Sequence, residues 1–331
     1  MTIDEMARNL GVSKSTISRA LSGKGRIGEA TREKICSYAS ENGFTPRVYS
    51  NRGMVKTRNL GIVLPSDAYV SSIPFFQECL LGVCEAAFQQ DYNVLVATRT
   101  EYDISGIRLL VEKNKVDGMI LTRSMEDDRA LKYLTGINFP VGMTGTTSRE
   151  NVIQVDCDNR AAAESLTAML IGRGYQRYAV ILGSMSISVN RRRLEGVRSA
   201  WEKSSIMEDR QLLYTGFDKM EFWDSLIGEI MNRKVECIIC GDDVIATMII
   251  SRLQAEGYRI PKDISIASLY NSSNLDCFSP SITTVNVSAK AMGNTIGKQM
   301  IYYLNGSRYQ QKTYLDYEIL FRKSTIRVGK E

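Results

Sequence analysis

Residues 2–22 read TIDEMARNLGVSKSTISRALS, and this stretch decides the fold of the amino-terminal part of the chain. Thr2 and Glu5 form the T-x-x-E capping box that opens a helix. Apolar residues then recur at the three- and four-residue spacing of an amphipathic helix. They are Ile3, Met6, Ala7 and Leu10. Gly11 is predicted to end this helix, because glycine accepts the left-handed backbone of a C-terminal cap.

A second short helix is predicted directly after Ser13, whose hydroxyl can serve as its N-cap. Its inward face is apolar and comprises Ile17, Ala20 and Leu21. Its outward face carries small polar and basic side chains, namely Lys14, Ser15, Ser18, Arg19 and Ser22. Two short helices joined by a glycine-containing turn form a helix-turn-helix, whose second helix lies in the major groove of DNA. The outward face has the chemistry that base edges and phosphates require.

A third helix is predicted from about Thr31 to Asn42, and it completes a core that two amphipathic helices cannot close alone. The loop before it, residues 23–28, reads GKGRIG and matches the dinucleotide-binding pattern G-x-G-x-x-G. That pattern requires a preceding strand, whereas a helix precedes it here. We therefore interpret the loop as a connection that brings Lys24 and Arg26 near DNA phosphates.

Charge is distributed unevenly along the 331 residues. Residues 1–58 contain 11 Lys/Arg and 5 Asp/Glu, a net charge of +6, whereas the remaining 273 residues contain 31 and 32, a net charge of −1. A basic module on a nearly neutral body is the pattern of a nucleic-acid-binding domain.

The amino-acid composition argues against several catalytic, metal-binding and membrane functions. The chain has no histidine, which removes Ser-His-Asp and Cys-His catalysis and histidine-ligated metals. A C-x-x-C pair, Cys237 and Cys240, lies in an apolar strand-like run without a second pair to complete a zinc site. We expect buried reduced thiols, no metal and no cofactor. The sequence shows neither a signal-peptide pattern nor an apolar run of about 18 residues, so we expect a cytoplasmic protein without membrane contact.

The amino-terminal pattern resembles the DNA-binding signature of the lactose/galactose repressor (LacI/GalR) family. The similarity runs from Thr2 to Arg19 and continues at Leu21-Ser22-Gly23, Thr31-Arg32 and Gly43-Phe44-x-Pro46. Short segments match through the rest of the chain, including 59–65, 73–76, 116–120, 156–159, 193–196, 241–246, 260–265 and 282–285. The resemblance implies a repressor that binds double-stranded operator DNA. One short helix reads few base pairs, so we expect a homodimer on a near-palindromic site.

The region after residue 58 alternates short apolar runs with helical stretches. Strand candidates include 60–64, 93–97, 118–122, 178–182, 235–240 and 264–269, and helical stretches include 75–90, 159–172, 243–256 and 288–304. This alternation predicts parallel sheets covered by helices. The resemblance implies two hinged lobes, each a doubly wound parallel sheet of the periplasmic-binding-protein type, between which the chain crosses three times.

The predicted organisation is an all-α helix-turn-helix domain at 1–45, a hinge linker at 46–58 and an α/β effector-binding and dimerisation domain at 59–331. Within the last, one lobe is predicted at about 59–158 and 288–316, and the other at about 159–287 and 317–331. Ligands of open α/β sheets bind at the carboxyl ends of the strands. We expect a small-molecule effector, a sugar or sugar derivative, between the lobes.

Two charged residues are candidates for effector binding. Asp243 follows the strand at 235–240 and opens a helix, so it is either an N-cap or a ligand-binding acid. Arg193 is either a solvated helix charge or a ligand contact. The resemblance favours ligand binding for both, and we expect the two side chains to face each other across the cleft.

Three aromatic residues complete the predicted effector site. Phe75 and Phe217 are either ring-stacking residues or plain core aromatics. Tyr270 and Asn271 stand where the family usually has two acids. This departure leaves the specific ligand open.

The hinge departs from the family as well. The family's hinge folds on DNA and inserts a leucine into the minor groove, and counting from Pro46 places that position at Gly53, which has no side chain to insert. Met54 follows and is the predicted wedge. The alternative is a flexible linker whose basic residues lie near phosphates, namely Arg47, Arg52, Lys56 and Arg58.

Two other functions compete with a repressor controlled by a metabolite. An enzyme with a regulatory helix-turn-helix, such as a sugar kinase, would need a phosphate-binding loop, and no G-x-x-x-x-G-K-[ST] occurs. The third candidate is a repressor controlled by a partner protein. It would have the same two sheets as the family, but its ligand-binding residues would differ from those of the family.

Overall fold

The computed structural model of the chain describes residues 3–22, 27–41, 56–67, 73–217 and 223–327. Three helices form the amino-terminal domain, α1 Ile3–Leu10, α2 Lys14–Ser22 and α3 Glu29–Glu41. Their inner faces meet in a small core of Met6, Ala7, Ile17, Ala20, Ile35 and Ala39. Gly11 ends α1 with a φ of +66°, and the Ser13 hydroxyl caps α2 by accepting a hydrogen bond of 3.1 Å from the Thr16 amide.

The rest of the described chain alternates strands and helices. In chain order they are β1 Asn59–Pro65, α4 Pro74–Phe88, β2 Asn93–Arg99, α5 Ser105–Glu112, β3 Gly118–Leu121, α6 Arg129–Gly136, β4 Val141–Thr144, β5 Val152–Cys157, α7 Asn159–Gly172, β6 Tyr178–Ile181, α8 Ser188–Lys203, β7 Gln211–Tyr214, α9 Trp223–Asn232, β8 Cys237–Cys240, α10 Asp243–Ala255, β9 Ser265–Ser268, α11 Ser273–Asp276, β10 Thr283–Asn286, α12 Ala289–Leu304, β11 Lys312–Leu315 and β12 Glu318–Leu320. Short 3-10 turns lie at Glu208–Arg210 and Lys323–Thr325.

The strands form two six-stranded sheets, and each sheet is the centre of one lobe. Lobe 1 has the order β11-β5-β4-β3-β1-β2, and lobe 2 has the order β12-β10-β9-β8-β6-β7. All neighbours are parallel except β12, which is antiparallel to β10. Central strands such as β3 and β8 are buried along their whole length, which explains why they read as continuous apolar runs. The predicted fold class is confirmed.

The chain passes between the lobes three times. The passages lie at residues 157–159, 286–289 and 315–318, where a strand of one sheet is followed by an element of the other lobe. Lobe 1 is therefore assembled from two separate parts of the chain. Its core contains α12 side chains such as Met292, Ile296 and Met300 packed against Leu60 and Ile62 of β1.

Helices α4 and α12 pack closely in lobe 1, and glycines make the approach possible. A Cβ atom on Gly293 of α12 would overlap the backbone carbonyl of Cys79 in α4. A Cβ atom on Gly82 of α4 would in turn overlap the carbonyl of Lys290. Because the overlapped atoms belong to backbone, neither clash can be relieved by rotating a side chain. The close approach of the two helices therefore requires glycine at both positions.

Cys237 and Cys240 begin and end β8, and both are free thiols that are completely buried. Burial raises the pKa of both thiols well above the ordinary value. Across the described ranges, no helix is long and apolar enough to cross a membrane.

We expect Gly293→Ala to lower the free energy of unfolding by about 1–3 kcal/mol, because the new methyl group forces α4 and α12 apart. Urea unfolding followed by circular dichroism measures the change. Gly172→Ala in α7 is the matched control, since a Cβ there meets nothing within 4 Å and alanine favours helix by about 1 kcal/mol over glycine. Equal stability of Gly293→Ala and the wild type would contradict close backbone packing.

Candidate functional site

The second helix of the amino-terminal domain presents a polar face. Lys14, Ser15, Ser18 and Arg19 are exposed, as expected for residues that contact DNA, whereas Thr31 is half-buried. Ser13 was predicted to contact DNA, and its hydroxyl also bonds the hydroxyls of Ser15 and Thr16, each at 2.8 Å. Three predicted DNA-binding residues, Thr2, Arg26 and Met54, lie outside the described residues, as does the side chain of Ser22.

A cavity of about 350 Å³ lies between the two lobes. Its walls come from the carboxyl ends of strands in both sheets, as open α/β folds require. Lobe 1 contributes residues that follow β1, β3, β4 and β5, and lobe 2 contributes residues that follow β6, β8 and β9. The volume falls in the range of small-molecule sites, about 300–1,000 Å³.

Two aromatic rings meet across the cavity. Phe75 lies near the start of α4 in lobe 1, and Tyr270 follows β9 in lobe 2. Their ring centroids are 5.9 Å apart at an interplanar angle of 76°, an edge-to-face contact. Both residues line the cavity. Burial is the main reason that the pKa of Tyr270 lies well above the ordinary value, so its phenol stays neutral and can donate a hydrogen bond.

Arg193 lines the cavity from the second turn of α8 and is only 9% exposed. Its Nη1 donates a hydrogen bond of 2.8 Å to the carbonyl of Gly241. Its buried Nε has no hydrogen-bond partner within the described part of the chain. A guanidinium held by one backbone carbonyl keeps donors for a ligand. Arg193 is thus a buried donor, unlike the exposed Arg192 beside it.

The prediction that Arg193 and Asp243 face each other across the cleft is wrong. Both belong to lobe 2, because α8 follows β6, α10 follows β8, and these two strands are neighbours in one sheet. The cavity wall is formed by Asp242, whose carboxylate also caps α10 by accepting a bond of 2.9 Å from the Ile245 amide. Asp243 is completely buried behind it and does not line the cavity as described.

Phe217 belongs to the core rather than to the cavity wall. It packs in the apolar cluster of lobe 2 with Ile181, Leu226 and Ile245, and it is 6% exposed. The described cavity lining does not include it. The ring-stacking interpretation of Phe217 is therefore replaced by the core interpretation, which the sequence had left open.

Sequence reasoning missed most charged residues of the cavity wall, namely Asp67, Glu101, Arg123, Asp156, Arg192 and Asp242. Arg123 follows β3, is 6% exposed, and binds Asp67 at 2.9 Å. Asp156 is the second-last residue of β5 and accepts hydrogen bonds from the Cys157 amide and the Asn159 side chain. Burial raises the pKa of Asp156 to about 6, and the nearby charge of Arg193 offsets part of that shift. Arg123 directly follows the predicted strand 118–122, which was an available signal, whereas no strand was predicted before Asp156.

The last residues of the predicted hinge are bound to lobe 1. Lys56 donates from Nζ to the carbonyl of Leu304 at 3.0 Å and to Oδ1 of Asn305 at 2.8 Å. The amide of Arg58 donates to the Asp117 carboxylate at 2.9 Å. Lys56 and Arg58 are therefore held at lobe 1, whereas their proximity to DNA phosphates stays a prediction. Arg47, Arg52 and Gly53 lie outside the described residues.

Comparisons with known proteins cover both parts of the chain. The family model described as periplasmic binding proteins and sugar binding domain of LacI family matches residues 57–314, and the model described as bacterial regulatory proteins, lacI family, matches residues 2–47. The chain is 28% identical over 336 residues to the HTH-type transcriptional regulator RegA of Clostridium saccharobutylicum, an alignment that covers 98% of this chain and 99% of RegA.

Two solved structures share the fold at lower identity. The complex of the transcriptional regulator CelR with cellobiose has a TM-score of 0.73 at 23% identity and covers 98% of this chain and 99% of CelR. The lac repressor dimer bound to operator and the anti-inducer ONPF has a TM-score of 0.71 at 18% identity and covers 99% of both chains.

Asp243 makes stability depend on pH in a direction opposite to that of a salt-bridged acid. Burial raises its folded-state pKa from 3.8 to about 6, and the nearby Ser272 hydroxyl offsets only part of the shift. The folded state therefore binds more protons than the unfolded state between these values, so stability falls as the pH rises through this window. Between pH 5 and 8 the wild type should lose about 1–2 kcal/mol that Asp243→Asn does not lose.

Urea unfolding at pH 5 and pH 8 measures this difference. Asp263→Asn is the control that should leave the difference between pH 5 and pH 8 unchanged, since hydrogen bonds from Arg259 hold the pKa of that exposed carboxyl below its ordinary value and it therefore titrates below this window. The same pH dependence in the wild type and Asp243→Asn would show that the Asp243 carboxyl titrates as it does in water.

Proposed function

This chain belongs to the LacI family of bacterial regulatory proteins, and we propose on that basis that it is a transcriptional repressor whose operator binding is controlled by a sugar or sugar derivative. The observation that carries the proposal is the combination of an exposed helix-turn-helix face with an enclosed cavity between two lobes. We also propose the division into a DNA-binding domain at 1–45, a hinge at 46–58 and an effector-binding domain at 59–331.

The cavity has the chemistry that a carbohydrate needs. Phe75 and Tyr270 offer apolar ring surface, and Arg193 and Asn190 offer buried hydrogen-bonding groups. Hydroxyl side chains that follow several strands add both donors and acceptors, including Thr122, Ser124, Thr144, Thr146, Ser184, Ser186 and Ser188. A polyhydroxylated ligand can pair with such groups, and the related CelR was solved with cellobiose.

Control by a partner protein is the second candidate. The observation that favours it is Tyr270, an aromatic residue that touches Phe75 where the family usually has an acid. The ring contact fills space that a ligand would otherwise share. A kinase-like enzyme carries less support, since the named relatives are transcriptional regulators.

We propose a homodimer formed through lobe 1. Leu81 and Phe88 project from α4 and are 57% and 87% exposed, and Val96 on the neighbouring edge strand β2 is 51% exposed. Helix positions 81 and 88 lie on one face because they are seven residues apart. A second copy would cover this apolar surface and place two recognition helices on one operator.

The proposed DNA contact beyond the helix-turn-helix is Met54, inserted into the minor groove. Apolar side chains are suited to this insertion. Met54→Gly should then reduce both operator bending and affinity in a gel-phasing assay.

A thermal-shift screen of sugars, sugar phosphates and nucleobases tests effector control. A ligand at 100 times its Kd should stabilise the protein by about 2.7 kcal/mol. For the ligand that the screen identifies, Arg193→Met should weaken binding by about 10-fold or more, because a charged donor is lost from a buried site. Arg198→Met, exposed one turn further along α8, is the control. No shift with any compound would favour the partner-protein candidate.

Recognition by α2 is tested with operator selected by the wild type from random DNA. Lys14→Ala with Ser15→Ala should weaken operator binding by about 10-fold or more and binding to random DNA much less, since a good base contact contributes about 1–3 kcal/mol. Lys34→Ala, an exposed lysine on α3, removes the same charge as a control. Equal losses on operator and random DNA would refute a role in specificity.

Phe88→Glu should convert the dimer to a monomer of about 37 kDa in light scattering at micromolar concentration, because a charge is buried without a partner at the interface. Leu109→Glu is the control, since α5 packs on the opposite face of the lobe 1 sheet. A wild-type monomer that still binds operator specifically would contradict the dimer.

A further inference from the structure

Two loops from different lobes pair with each other at the cavity. Residues 124–126 follow β3 in lobe 1, and residues 186–188 lead into α8 in lobe 2. Met125 and Ile187 form an antiparallel β-bridge. The Glu126 amide donates to the Ser186 carbonyl, and the Ser188 amide donates to the Ser124 carbonyl, both at 3.0 Å.

Side chains extend the same contact. The hydroxyls of Ser124 and Ser188 are 3.1 Å apart, and Arg191 lies 3.3 Å from Glu126. The ion pair adds little because Glu126 is 74% exposed. The two backbone hydrogen bonds are different in kind, since they form only when the segments have one separation and one register. They therefore specify a single arrangement of the lobes.

A buried ion pair fixes the lobe 1 segment at both ends. Arg99, at the end of β2, binds Asp128 through two contacts of 2.5 and 2.9 Å, and the two side chains are 3% and 2% exposed. Arg99 Nη2 also donates to the carbonyl of Arg123 at 2.8 Å, immediately before the segment. Asp128, which follows the segment, accepts a bond from the Leu131 amide and so caps α6. The fork geometry of such a pair holds both ends in fixed positions.

We propose that residues 124–126 are a latch that docks on residues 186–188 and holds the lobes closed, and that Arg99 and Asp128 are the positioning residues that keep the latch in register. Met125 and Ile187 both line the cavity, so the latch covers the space in which a ligand would lie. The lobes then exchange between a closed arrangement with the latch docked and an arrangement with the latch undocked. A regulatory role for the latch rests on the proposed effector site, whereas the latch as a structural contact does not depend on an effector.

Disulfide trapping in the full chain tests the latch directly. In Met125→Cys with Ile187→Cys, facing positions of the bridge should cross-link rapidly under mild oxidation. Mass spectrometry of the linked peptides separates this disulfide from any formed by the native cysteines, and each single variant is a control. Failure of the 125–187 disulfide to form would overturn the latch.

The positioning role is tested by adding Asp128→Asn to the double-cysteine protein. Asparagine is as good an N-cap as aspartate, so α6 keeps its cap while the charge facing Arg99 is lost. The rate of cross-linking should fall by about 10-fold or more, as expected for loss of a buried charge partner. Asp127→Asn is the matched control, because this neighbouring acid pairs with Lys132 at the surface, and its rate should stay within about twofold. Equal rates in the two variants would overturn the positioning role.

A second pair of variants does not disturb the buried ion pair. Ser188→Pro removes the amide that donates to Ser124, and proline is well tolerated at the first position of a helix such as α8. Ile187, the residue before it, already has the extended backbone that a following proline requires, with φ −88° and ψ 123°. Ser188→Ala keeps the amide and loses only the hydroxyl. Cross-linking should be about fivefold slower in Ser188→Pro than in Ser188→Ala, the effect of one hydrogen bond.

Equal rates in these two variants would also overturn the latch. None of these measurements uses a ligand or DNA. A protein that cross-links as expected but responds to no sugar would refute the effector proposal and leave the latch standing. A protein that responds to a sugar but forms no cross-link would refute the latch and leave the effector proposal standing.

Discussion

A parallel strand can be followed by another parallel strand only through a crossover, and this constraint determines the position of the cavity. Each crossover helix returns the chain to the same edge of its sheet, so the carboxyl ends of the strands collect at the opposite edge. In both lobes these ends bear the polar side chains, such as Arg123 after β3, Asp156 on β5 and Asp242 after β8. Two such edges facing each other enclose a cavity whose wall carries polar groups from both sheets.

The amino-terminal domain could be predicted from sequence because its determinants are local. Gly11 and Ser13 act within a few residues, and the apolar spacing of α1 and α2 is that of isolated amphipathic helices. The buried strands β3, β6 and β8 were equally visible as apolar runs. Strands β4 and β7 were not proposed, because their sequences VGMT and QLLY include polar residues and so lack the continuous apolar run of β3, β6 and β8.

The candidate site was predicted less completely, because it depends on the arrangement of elements that lie far apart in the chain. The pattern Gly241-Asp242-Asp243 offers two acids, and only the end of β8 at Cys240 decides which one caps α10 and which one is buried. The adjacency of β6 and β8 places Arg193 and Asp243 in one lobe, as the predicted lobe bounds of 159–287 already did, so the expectation that they face each other across the cleft conflicted with those bounds. The contacts of Lys56 with Leu304 and Asn305 join residues almost 250 positions apart, a separation that no local pattern reports.

The three passages of the chain between the lobes have a consequence for biosynthesis. The amino-terminal helix-turn-helix domain emerges from the ribosome first. It has its own core, so it can fold while the rest of the chain is still being synthesised. Lobe 1 cannot fold this early, because α12 belongs to its core and β11 to its sheet. Both segments are among the last to emerge. Lobe 2, apart from β12, is translated before lobe 1 is complete. Until α12 has been synthesised, the apolar face of β1 and α4 stays exposed to solvent. The nascent chain can aggregate through this face, so a chaperone would be most useful at this stage.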